Sequence, residues 1–141
     1  MIFAGADRGE LRRRYAVAWQ RSLAGLPLEP LDAQIADVIA LHPEYHAEIG
    51  NPDSEGASYT VEGGRTNPYL HMGLHLAIRE QVGTRRPAGI EAVHARLARA
   101  LGDVHEAEHR MIEVLAETLW EAQRAGSAPD EQGYLERLRR L

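Results

Sequence analysis

No stretch of this chain alternates apolar and polar residues as a half-buried strand must. Segments with apolar residues at helical spacing follow one another instead, opened by capping residues or proline and closed by glycine. Asp7 and Glu10 form a capping box for a helix over 8–24, closed by Gly25 and Pro27, with Tyr15, Trp19 and Leu23 as its apolar stripe. Pro30 suits the first turn of a second helix, whose Leu31, Ile35, Val38 and Ile39 share one face. Pro43 then either kinks that helix or begins a further turn through Ile49.

Residues 50–66 are rich in Gly, Asn, Pro, Asp and Ser and read as the one long loop. Asn67 caps a third helix that opens with Pro68, runs to about Val82 and ends at Gly83. A fourth, long helix is expected over about 88–124, with Gly102 as its weak point, and a short fifth begins near Ser127, Pro129 and Asp130 and reaches Arg139. The expected fold is therefore all-α. One domain over residues 1–141 would form a helical bundle of four main helices plus a short C-terminal helix.

Composition narrows the chemistry. At 141 residues the chain can bury a core, and its hydrophobic (44%) and charged (26%) fractions lie in the globular range. Cysteine is absent, which excludes disulfides, iron–sulfur clusters and thiolate zinc sites. Any metal must be held by imidazole and carboxylate. A net charge of −5 argues against nucleic acid as a partner, and the basic runs near Arg12, Arg85 and Arg137 are short and interleaved with acids. No run of about 18 apolar residues suggests a membrane span, and the start of the sequence lacks signal-peptide features, so the expected location is the cytoplasm. A homo-oligomer stays open, and neither a small-molecule nor a protein partner is defined.

Seven histidines are the unusual count, and six fall in pairs four residues apart: His42 and His46, His71 and His75, His105 and His109. That spacing brings both rings of a pair out of one helix face. At about 100° per residue, His42 continues the stripe of the second helix, and His46 does so if the helix survives Pro43. On the third helix Leu70, Leu74 and Ile78 set the expected stripe, with His71 inside it and His75 at its edge. On the fourth, Leu97, Leu101, Ile112, Leu115 and Leu119 set it, with His105 and Glu108 near its centre and His109 at its margin.

Inward imidazoles cost several kcal/mol unless each finds a partner, and a metal ion satisfies many at once. The expected ligands are His42, His46, His71, His75, His105, Glu108 and His109 around one or two ions, iron first and zinc second. Glu44, Glu80 and Glu113 are candidate bridging or supporting carboxylates. Hemerythrin-like bundles offer an analogy, and a di-iron centre would imply oxygen or redox chemistry, or metal handling. The unpaired His94 is expected to be a structural histidine.

Three rivals stand beside this. The histidines can be structural, in a metal-free module that binds a protein partner, or they can form a pH-sensitive network with glutamate. His105-Glu106-Ala107-Glu108-His109 also matches the H-E-x-x-H helix of zinc peptidases, where the first glutamate activates water. No sheet is available to present a peptide to it. Phosphate-loop and Ser–His–Asp patterns are missing.

The segments 42–46, 67–81, 105–109 and 120–124 resemble a family of short bacterial proteins known as domain of unknown function 1841. The likeness spans nearly the whole chain and runs through all three histidine pairs. It implies a bacterial, cytoplasmic protein and no particular activity.

Overall fold

The computed structural model describes residues 8–51 and 67–141. Asp7 of the expected capping box and residues 52–66 of the expected loop lie outside them. The described residues are helical with no strand among them, so the fold is all-α. No helix among them is long and apolar enough to cross a membrane. The chain divides into two compact units, Met1–Leu76 and Ala77–Leu141.

The first unit holds α1 (Arg8–Leu23), α2 (Pro30–Ala40), a 3-10 turn (Pro43–Tyr45), α3 (His46–Ile49) and the first half of α4 (Pro68–Thr84). Its core gathers Tyr15 and Ala18 of α1, Ile35, Val38 and Ile39 of α2, Ile49 of α3, and Tyr69, Met72 and Leu76 of α4. Arg14 and Asp32 bridge α1 to α2 at 2.8 Å. Leu23, expected in the α1 stripe, is 69% exposed, because the helix ends there and Gly25 turns away with φ +70°.

Pro43 resolves into the second of its two alternatives. A residue before proline is pushed out of the helical region. His42 accordingly has φ −125° and ψ 68°, α2 stops at Ala40, and Pro43 opens the 3-10 turn. His42 and His46 thus belong to different elements and do not share a helix face.

Asn67 caps α4 as expected, its side-chain oxygen accepting from the amides of Tyr69 (3.0 Å) and Leu70 (3.1 Å). The helix runs through Gly83 to Thr84 rather than stopping there. Its buried face differs from the expected one: Tyr69, Met72, His75, Leu76 and Ile78 point inward, and Leu70 is 61% exposed. The aromatic ring decides this. Tyr69 packs edge-on against Tyr15 at 5.5 Å, with the Arg12 guanidinium over the Tyr69 ring at 4.8 Å from its centroid. Turning Tyr69 inward rotates Leu70 to solvent and carries His75 from the edge of the stripe into the core.

The second unit continues α4 and adds α5 (Ile90–Leu101), α6 (Val104–Ala125) and α7 (Glu131–Arg139). The single long helix expected over 88–124 is two helices folded into a hairpin. Gly102 takes the left-handed conformation (φ +68°), and the Asp103 side chain accepts the His105 amide at 2.9 Å to start α6. Leu101, at the end of α5, is left 38% exposed. Ile90, Val93, Leu97, Met111, Ile112, Leu115, Tyr134 and Leu138 are buried, and α7 packs on α5 and α6. Asp130 caps α7 through the Gly133 amide.

Two measurements check this account. Gly102→Ala should lower unfolding free energy by roughly 1 kcal/mol, since its new Cβ meets no neighbour and only the backbone conformation is penalised. Asp103→Ala should cost about as much through the lost cap, both read by urea denaturation. Burial pushes the phenols of Tyr15 and Tyr134 well above their ordinary 10.0, with the Gln81 hydrogen bond opposing slightly at Tyr134. The folded chain keeps protons that the unfolded chain releases, so this stabilisation is intact below about pH 10 and falls as pH rises beyond it. Tyr15→Phe should flatten that alkaline decline.

Candidate metal centre

His42 hangs at the end of α2, where the Pro43 turn has swung its backbone out of the helix. Its ring is 1% exposed, and Nδ1 lies 2.7 Å from the Val38 carbonyl oxygen. A carbonyl can only accept, so Nδ1 carries the proton and the lone pair is on Nε2. A backbone carbonyl setting the tautomer in this way is a common support for a metal-binding imidazole. His71 and His75 sit one turn apart on α4, His71 half-buried and His75 fully buried.

These three rings form a nearly equilateral group. His42–His71, His42–His75 and His71–His75 each have centroids 4.9 Å apart, at interplanar angles of 83°, 61° and 83°. Imidazoles sharing one ion at nitrogen distances of about 2.0–2.1 Å in tetrahedral geometry would have centroids roughly 5 Å apart, with rings inclined to one another. His42 and His75 each offer a nitrogen, the two within 4.8 Å of one another. Edge-on aromatic packing also spans this distance, but an imidazole, unlike an apolar ring, brings two polar nitrogens into the core with it.

Tyr45 closes one side of the group. It stacks on His42 at 5.4 Å and 10°, and its centroid is 6.2 Å from that of His71. Residues three apart eclipse in a 3-10 turn, which is how Tyr45 comes to lie over His42. Burial, then the carboxylates of Glu44 and Glu48, raise its phenol above the usual range, so it stays protonated at neutral pH. The His42–Tyr45 spacing was available in the sequence, but only the 3-10 turn gives it meaning.

His46 is placed differently. Its Nε2 donates to the Ile39 carbonyl at 2.7 Å, and its ring packs on Trp19 at 4.6 Å. It is not brought into the triangle.

In the second unit, His105 and His109 meet on the first turns of α6 with centroids 4.3 Å apart, each offering a nitrogen within 4.8 Å of the other's. Glu108 does not join them through any described contact. It is 2% exposed, and its oxygens take Arg79 Nε at 3.2 Å and His94 Nε2 at 3.1 Å. His94 thus has the carboxylate partner a structural histidine requires. Once Gly102 is seen as a hairpin turn, positions 94 and 108 lie nearly equidistant from it. Glu106, the water-activating position of H-E-x-x-H, is half exposed, 3.6 Å from His109 and 3.9 Å from Arg110. Glu44, Glu80 and Glu113 are exposed.

The fold and these clusters define an all-helical protein with inward-facing imidazoles in each of its two units. The chain belongs to the family described as Domain of unknown function (DUF1841), whose model matches residues 7–140. Comparison with curated proteins and with solved structures found no match.

Glu108→Gln should lower stability by about 2–3 kcal/mol, because it strips a mostly buried guanidinium and an imidazole of their shared anion. Glu106→Gln should leave the denaturation midpoint near that of the parent, its partners lying at the surface.

Proposed function

We propose that this protein binds a transition-metal ion through imidazole nitrogens, with His42, His71 and His75 as the ligands in the first unit and His105 and His109 as a separate donor pair in the second. The mutual 4.9 Å spacing of three inclined rings, two of them fully buried, carries the proposal. Nitrogen-only donors suit zinc, iron(II) or copper and disfavour magnesium or calcium. The carboxylate-bridged di-iron pattern finds less support, since Glu44, Glu80 and Glu113 are exposed and Glu108 is clamped by Arg79 and His94. A mononuclear zinc or iron(II) site is the better match. His46 is left out of the ligand set because its Nε2 is committed to Ile39.

A zinc peptidase is less well supported. Glu106 leans on Arg110 at the surface, whereas a water-activating carboxylate must face the ion. A metal-free interaction module would need another reason to gather three imidazoles around a common centre.

Protein made without a histidine tag and reconstituted with zinc or, anaerobically, iron(II) should hold at least one ion per chain by elemental analysis. His42→Ala and His75→Ala should weaken binding at least tenfold, and His46→Ala should leave it intact. Metal at a hundredfold excess over Kd should stabilise the fold by about 2.7 kcal/mol, an effect reversed by chelator. A stoichiometry of two ions would assign His105 and His109 an ion of their own. Metal content well below one per chain after reconstitution would end the proposal.

A further inference from the structure

The three rings of the first unit are not equally shut away. His42 and His75 are 1% and 0% exposed and offer solvent no approach, whereas His71 is half-buried. Beside His71 stands Tyr45, also half-buried, with the two ring centroids 6.2 Å apart. The same Tyr45 ring lies over His42 at 5.4 Å and 10°. It is carried by the 3-10 turn Pro43–Tyr45, which buries none of its residues and leaves Pro43 and Glu44 exposed. On this side of the group, one aromatic side chain on a surface turn stands between the His42 ring and solvent.

We propose that Tyr45 is the gate through which the ion enters and leaves, swinging aside with its turn and closing again over His42. This rests on the metal reading above and adds how the site is loaded. An entering ion exchanges water for nitrogen one ligand at a time, and a partly exposed ring is the one that can begin. His71 is therefore the first ligand gained and the last one lost, and Tyr45 must move before His42 can follow. The turn is held by the Tyr45 amide donating to the His42 carbonyl at 2.9 Å and by the His46 amide donating to that of Pro43. So short an element opens at less cost than α2 or α4, whose hydrogen bonds and buried faces are far more extensive. Such a gate sets the rate of exchange and not its equilibrium, because Tyr45 covers His42 both before and after loading.

Cobalt(II) serves as the probe, since its visible bands report the donors around it. Full-length protein loaded with cobalt is mixed with EDTA, at concentrations where release no longer depends on EDTA, and loss of the bands is followed. Uptake is followed on mixing metal-free protein with cobalt, and Kd is taken from competition with a chelator. Tyr45→Ala should speed release and uptake each by about tenfold, with Kd within roughly threefold of the parent's. Tyr45→Phe keeps the ring and should match the parent in both rates, and the larger ring of Tyr45→Trp should slow both. Parent-like rates in Tyr45→Ala overturn the gate. Faster release accounted for by a weaker Kd, with uptake unchanged, overturns it too and makes Tyr45 a support for His42 alone. Where Tyr45→Ala does not fold, Tyr45→Trp decides, and rates at or above the parent's sink the proposal. A parent protein that takes up no cobalt overturns the metal reading, and the gate with it.

Discussion

An imidazole shut away from water must place both of its ring nitrogens, and the first unit of this protein shuts away His42 and His75 almost completely. One nitrogen of His42 is settled by the Val38 carbonyl, which fixes the proton on Nδ1 and leaves the lone pair on Nε2. A single constraint sets this up. Pro43 bars His42 from helical geometry, so the side chain leaves the α2 ladder and its ring can settle against His71 and His75. The same proline opens the 3-10 turn that stacks Tyr45 over His42.

The two units handle buried polarity in contrasting ways. In the second, a buried carboxylate is matched by a guanidinium and an imidazole within one small cluster, and Glu108 is satisfied by protein alone. In the first, the buried polar groups among the described residues are Arg12, His42 and His75, and the rings of His42, His71 and His75 gather against one another. The first arrangement is what a structural network needs. The second suits a cation that several nitrogens can share.

Much of the helical layout was legible from local chemistry. Asn67 with Pro68, Pro30, Gly25 and Asp130 each act where their backbone preferences place them, because caps and breaks depend on a few neighbouring residues. Gly102 is less decisive in the sequence: a glycine inside a periodic run is tolerated in some helices, and the hairpin forms because Asp103 beside it caps the next helix. The face of α4 could not be read from aliphatic spacing. Leu70 fitted the period, but Tyr69 has Tyr15 and Arg12 to pack against, and its larger ring takes the inward position.

The sequence by itself determined an all-helical chain without thiols, in which imidazole is the main candidate ligand, because periodicity, capping and residue chemistry are properties of short segments. It also marked His71 with His75 and His105 with His109 as rings on common faces, since each pair lies within one helix. Tertiary structure decided which rings meet across elements. It joined His42 to the α4 pair, sent His46 to Trp19, and engaged Glu108 with Arg79 and His94. Those outcomes turn on helix rotation and side-chain competition for the core, and no local pattern encodes who wins that competition.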